Sequence, residues 1–164
     1  MNEMTHYMEL LATNQPWNLI IFMAIPVILA EALAITEFMV LLSRNLNGGA
    51  RKVSKIAGII AGFYFAGIFI YLFTNAVIPL TVSGGWRGPF DVIAVGFYLA
   101  GIISFGGLAL LELGIIGKKK DEIGWLTLHA KLVGLFLIVA HVAMIFGMLD
   151  PSLLATGMSS SMQM

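Results

Sequence analysis

Trp17–Leu42 reads WNLIIFMAIPVILAEALAITEFMVLL, and within it only Glu31 and Glu37 are charged. At about 1.5 Å per residue, such a run crosses the roughly 30 Å of a bilayer's hydrocarbon core with some tilt. Three runs of the same kind follow: Val53–Leu80, Phe90–Ile116 and Trp125–Leu149. With about 20 residues needed per span, four spans and their connections use the whole 164-residue chain. The composition agrees, with 59% hydrophobic residues, 11% charged residues and a mean hydropathy of +0.94. A soluble domain is about half apolar and about a quarter charged, and a soluble fold of this size could not hide so much apolar surface. The expected fold class is all-α: a single-domain, integral membrane, antiparallel four-helix bundle.

Polar groups bound the runs. Asn14-Gln15-Pro16 precedes the first, Asn45 to Gly49 follows it, Ser83 to Pro89 separates the second and third, and Lys118 to Glu122 separates the third and fourth. Asp150-Pro151 ends the last. Seven of the nine Lys and Arg residues sit in or beside the first and third loops, as Arg44, Arg51, Lys52, Lys55, Lys118, Lys119 and Lys120. The positive-inside rule then puts loops 43–52 and 117–124 in the cytoplasm and both termini outside, in a cell's inner membrane. Trp17 and Trp86 would mark the outer interface and Trp125 the inner one. Met1–Gln15 contains Glu3 and Glu9 and no basic residue. It lacks the n-region of a signal peptide, so the first run is expected to persist as a span. Met4, Tyr7, Met8 and Leu11 share one helical face, which predicts a short helix lying in the outer interface. Residues 150–164 read as a flexible outer tail.

Gly58, Gly62 and Ala66 recur at four-residue spacing in the second run, as do Gly96, Ala100 and Ser104 in the third. Such stripes let helix backbones approach closely in lipid. Pro26 removes a backbone donor inside the first run and frees a carbonyl one turn earlier.

The absence of cysteine excludes disulfides, thiolate metal sites and cysteine nucleophiles. Zero net charge makes nucleic acid an unfavourable partner. The expected partners are the bilayer and either further copies of the chain or another membrane protein. No phosphate loop, nucleophile elbow or metalloprotease helix is present.

Chemistry must come from the ionisable groups inside the spans, because burying them is costly and they usually face the protein interior. These are Glu31, Glu37, Glu112, His129, Lys131 and His141. Glu37, Glu112, His129 and Lys131 fall near the inner end, with Glu31 deeper. Together they form either a proton or ion path or a hard-metal site, or else a structural network in which Lys131 pairs with Glu37 or Glu112. No Glu-x-x-His pair exists, so a ferritin-like di-iron bundle is not indicated. His129 and His141 stand about 18 Å apart along the axis and about 120° apart around it, so one metal cannot take both.

A softer group lies at the outer end. His141, Met144 and Met148 follow one strip of the fourth run, and Met4, His6 and Met8 form a Met-x-His-x-Met segment near the N-terminus. Met158, Met162 and Met164 lie on the same side. Thioether and imidazole together suit Cu(I). His141 could alternatively ligate a b-type haem walled by the aromatics between Phe63 and Phe73. The first three runs contain no histidine, so a lysine, a methionine or an open position would complete such a site.

Gly124-Trp125-Leu126-Thr127-Leu128-His129-Ala130-Lys131-Leu132, ending in Ala140-His141, resembles a helix of the superfamily that includes the HemJ-type protoporphyrinogen oxidases and the CopD-like copper-resistance proteins. The resemblance covers about eighteen residues. It implies a four-span layout and b-haem or copper chemistry, with Lys131 and His141 as the positions that carry over. The functional expectation is therefore a small membrane protein binding haem b or copper through His141, Lys131 and His129. The alternatives are a small permease or proton-translocating subunit using the inner ionisable groups, and a non-catalytic accessory subunit of a membrane complex.

Overall fold

A computed structural model describes residues 4–118 and 120–151, and all the regular structure in them is helical. A short helix, α1 (His6–Ala12), precedes four long ones: α2 (Trp17–Ser43), α3 (Gly49–Ser83), α4 (Pro89–Glu112) and α5 (Glu122–Met148). Each of the four is long and apolar enough to cross a membrane. The chain is a multi-pass membrane protein built as a four-helix bundle. Consecutive spans pack on one another, and α2 meets α5 along a shorter seam that closes the ring. Lys119 and most of the expected tail, with Met158, Met162 and Met164, lie outside the described residues.

Local chemistry sets the helix ends. The Asp121 carboxylate caps α5 by accepting the Gly124 N–H at 3.2 Å. Arg44 and Gly84 close α2 and α3 in the left-handed region, at φ 50° and 67°. The third apolar run reaches Ile116, but α4 stops at Glu112. Gly114 and Gly117 stand at φ 70° and 78° just beyond it, and a right-handed helix cannot continue through that conformation. In contrast, α3 begins at Gly49, ahead of the second apolar run, which places Arg51 on a helix instead of in a loop.

Both internal prolines follow a π-helical turn, Ile20–Ala24 before Pro26 and Phe73–Val77 before Pro79. A π turn accommodates the proline ring and its missing donor by widening the helix locally. The carbonyl that Pro26 leaves free is that of Phe22, and the buried Tyr98 hydroxyl of α4 donates to it at 2.5 Å. Tyr64 of α3 donates to the neighbouring Ile21 carbonyl at 2.9 Å. Two tyrosines from adjacent spans thus satisfy the kink where water cannot.

The bundle is closed at mid-height by rings. Phe65 of α3 touches Tyr98, Phe105 and Phe136, and Phe105 stacks on Phe136 with ring centroids 3.8 Å apart. Leu33 and Leu108 are fully buried beside them. Phe63, read as a cofactor wall, instead faces outward at 65% exposure.

Of the small-residue stripes, Gly62 marks the tightest approach of α3 to α4: a Cβ there would lie 2.3 Å from the Ala109 Cβ and 2.7 Å from the Phe105 carbonyl oxygen. Gly58 faces the Glu112 side chain. Gly96, expected at a packed seam, has open space beside it. The close contacts of α4 come from Gly101 against Phe65 and Phe136, and from Gly107 against Leu132.

The N-terminal helix is integrated more deeply than an interfacial helix would be. Thr5 caps it, accepting the Met8 N–H at 3.4 Å while its own hydroxyl donates to the Gly147 carbonyl at 2.6 Å. Tyr7 and Leu11 are buried against the bundle. The Tyr7 ring lies where a side chain at position 147 would be, 2.7 Å from a built Cβ. Met4, assigned to the same face, stays outside at 49% exposure.

Candidate functional site

At the end of the bundle that carries the basic loops, one chain of charged side chains joins all four spans. It begins at Arg51 of α3, whose guanidinium grips Glu112 of α4 with both nitrogens, Nη1 to Oε1 at 2.9 Å and Nη2 to Oε2 at 2.7 Å. This fork-on-carboxylate geometry is the strongest form of protein ion pair. Glu112 Oε1 also lies 3.0 Å from His129 Nε2 of α5. His129 Nδ1 in turn lies 2.6 Å from Oε2 of Glu37 on α2. Ser54 of α3 places its hydroxyl 3.5 Å from the same imidazole.

The setting is dry. His129 is fully buried, and Glu37 and Glu112 are 6% and 7% exposed. Trp125, one turn before His129, stacks on the imidazole with centroids 5.2 Å apart and carries the Arg51 guanidinium over its ring at 4.2 Å. Trp125 was read as an interface marker; here it roofs the charge chain and adds a cation–π contact.

Each imidazole nitrogen faces a carboxylate oxygen, so both contacts are attractive only when both nitrogens carry hydrogen. In that state two cations and two carboxylates cancel. Losing the imidazole proton leaves one uncompensated negative charge in a buried site. The chain is incompletely satisfied at its α2 end. The His129 Nδ1 contact lies off the hydrogen-bond direction, and Glu37 Oε1 is buried without a hydrogen-bond partner.

The expected inner group therefore divides. Glu37, Glu112 and His129 come together. Lys131 does not join them: it faces outward and lines a separate cleft with Arg44 and Glu122. The anticipated pairing of Lys131 with Glu37 or Glu112 is replaced by His129 and Arg51. Two residues along a helix turn by about 200°, so Lys131 cannot share the face of His129. Glu31 also lies elsewhere, on a cavity of about 210 Å³ between α2 and α5 that His141, Met144 and Met23 also line.

His141 bonds its own helix, with Nδ1 2.6 Å from the Leu137 carbonyl oxygen, which leaves Nε2 for a ligand. The cavity beside it, about 210 Å³, is smaller than the roughly 300–1,000 Å³ of a typical small-molecule pocket. Lys131 and His141, paired by the resemblance, open into different cavities. Among the described residues, no group of three or more His, Asp or Glu is placed to hold a metal ion.

The Met4-His6-Met8 segment also does not converge. His6 and Met8 stand two positions apart on α1 and so point nearly opposite ways, and Met4 precedes the helix. The His6 backbone N–H and Nδ1 both engage the fully buried Asp91 carboxylate, at 2.7 and 2.5 Å. Met8 turns to a cavity that Met148 also lines. Nearby, Arg87 pairs with Glu9 at 2.5 Å. Asp91 and Arg51 escape a reading based on mid-span charges, because both lie in the first turn of a helix. Tyr7, buried between α1 and α5, has its hydroxyl pushed up to about 12 by loss of hydration.

Over residues 1–164 the chain belongs to a family described as a family of unknown function (DUF6803). Neither a curated protein nor a solved structure matches it.

Proposed function

We propose that this chain is a small permease-type membrane subunit in which His129 and Glu37 bind and release a proton beside the fixed Glu112–Arg51 pair. One observation carries the reading: a buried carboxylate oxygen without a partner, Glu37 Oε1, beside an imidazole whose two nitrogens both face carboxylates. Buried ionisable groups inside spans commonly mark ion or proton relays. The proton resides on His129 or passes to Glu37, while Arg51 keeps Glu112 ionised as the fixed counter-charge. All four spans contribute to the chain, so its charge state bears on how they pack.

The aromatic layer around Phe65 closes the axis of a single bundle. Movement of a proton past it needs a rearranged bundle or a path between copies. In this reading the basic loops face the cytoplasm of a cell whose inner membrane holds the protein.

Proteoliposomes with an entrapped pH dye, polarised by a potassium gradient, test the proposal. Proton entry is expected with the native chain and with Lys131→Gln, and is expected to disappear with Glu37→Gln and with His129→Gln. Equal entry in all four preparations, or no entry in any, would overturn it.

A further inference from the structure

Lys131 takes no part in the charge chain, although it follows His129 by only two residues on α5. It is exposed on the outer side of the bundle, about 14 Å along the axis from Glu122, where the helix begins. A lysine facing lipid at that depth is costly unless it meets an anion or bends back toward the interface. It lines a cleft of about 830 Å³ between α2 and α5, and Arg44, directly after the end of α2, lines the same cleft. Among the described residues, neither side chain has a hydrogen-bond or ion-pair partner. Val40, Leu41 and Leu126 give the cleft apolar walls, and Glu122 is the one carboxylate among its described lining residues.

We infer that this cleft holds one anionic phospholipid, with its phosphodiester between Arg44 and Lys131 and an acyl chain along the seam of α2 and α5. Charge complementarity makes the choice. Two cations and one carboxylate leave the cleft with a single positive charge, which one phosphodiester anion balances. A guanidinium fork matches two phosphate oxygens, and an ammonium adds a compact point charge. Basic pockets between spans bind phosphate-bearing headgroups in this way. The apolar walls suit a hydrocarbon chain and would give a free anion nothing. A zwitterionic lipid presents the same phosphate but brings a cation of its own, so its net charge gains nothing from the cleft. The inference does not depend on proton binding by the buried charge chain.

Native mass spectrometry of the full chain, titrated in detergent with phosphatidylglycerol or phosphatidylethanolamine, measures it. One phosphatidylglycerol is expected to stay on each chain, with phosphatidylethanolamine bound more weakly. Lys131→Gln and Arg44→Gln, both at exposed positions, are each expected to weaken phosphatidylglycerol binding about fivefold, the equivalent of about 1 kcal/mol per basic residue. Glu122→Gln is expected to tighten it by a similar factor, which a purely structural carboxylate would not do. Lys52→Gln and Lys55→Gln, exposed on α3 and outside the cleft, are expected to change nothing. Equal binding of the two lipids, native affinity when Lys131→Gln and Arg44→Gln are combined, an equal loss in Lys52→Gln, or weaker binding in Glu122→Gln would overturn the assignment. So would displacement of the lipid by excess inorganic phosphate, which would make the occupant a free anion. Disulfide-linked dimers of Leu126→Cys, in a chain otherwise without cysteine, would put a second copy in the cleft and also overturn it. Because the readout is lipid retention, it stands or falls separately from proton entry.

Discussion

Replacing Arg51 by methionine removes both hydrogen bonds to Glu112 while leaving that carboxylate where it is. The side chains of Glu112 and Arg51 are 1% and 18% exposed, so water cannot take over the lost contacts. Removing one partner of a buried ion pair costs about 3–5 kcal/mol, chiefly because the other charge is left uncompensated. His129, 3.0 Å from Glu112, softens this, so Arg51→Met should destabilise by about 3 kcal/mol. Glu112→Leu should cost a similar amount, because it strands Arg51 and removes one of the two carboxylates beside His129. Removing both partners together is a different perturbation, because apolar replacement of a whole buried pair is often neutral. The double variant should therefore be at least about 2 kcal/mol more stable than the sum of the single changes. Reversible unfolding in mixed detergent and SDS micelles, followed by tryptophan fluorescence, gives the three values for a double-mutant cycle. Trp125 reports locally, since it stacks on His129 beneath Arg51. Additivity within about 0.5 kcal/mol would show that the two residues do not act as a pair, and the charge chain would lose its anchor.

Other consequences follow from the same geometry. Gly62→Leu should destabilise by about 1–3 kcal/mol through overpacking against Ala109 and the Phe105 carbonyl. Gly67→Ala, where space is open, should be neutral or stabilising by up to about 1 kcal/mol; thermal unfolding in detergent compares the two. Tyr98→Phe should cost about 1–3 kcal/mol by leaving the Phe22 carbonyl unsatisfied, and Tyr64→Phe, at a more exposed bond, should cost less in the same assay. The raised Tyr7 hydroxyl makes the neutral phenol the folded form. Its contribution is complete below the ordinary tyrosine value of about 10 and should fade as pH climbs through about 12. Protease accessibility of α1 against pH, with Tyr7→Phe lacking the transition, checks this. Reporter fusions at Gly48 and at Gly117 should label the same side of the membrane, as the basic loops require.

The spans were legible because apolar length is a property of sequence alone, and nothing else accommodates Trp17–Leu42. Their ends were less so. The turn after Glu112 is written as Gly114 and Gly117 inside a run that stays apolar to Ile116, so hydropathy carried the third span too far. Arg51 was counted as a loop charge because orientation rules weigh basic residues at span ends without asking which face they occupy. Glu37, Glu112 and His129 stood out as costly charges in lipid, and they meet. Lys131 stood out equally and stays apart, a difference already contained in the 3.6-residue helical period. Met23 gave no signal, because its place beside Met144 depends on a π turn and on three segments meeting.

The Arg51–Glu112–His129–Glu37 chain lies below the Phe65 layer, and above it lie the His6–Asp91 and Arg87–Glu9 pairs together with Met8, Met23, Met144 and Met148. Any communication must travel along a helix that contributes to both. Two helices qualify: α2 carries Met23 and Glu37, and α5 carries Met144 and His129. Between Met144 and His129, α5 is regular and contains no proline. Between Met23 and Glu37, α2 contains Pro26, next to a π turn whose carbonyls are held by the side chains of Tyr98 and Tyr64. Kinks of this kind are where a helix bends with least loss of internal bonding. A change in charge at Glu37 that shifts the lower half of α2 would meet its least resistance there, and the first side chains to move above it would be Phe22 and Met23. The hinge in α2, more than the ring-packed core, is thus the element through which one end could sense the other.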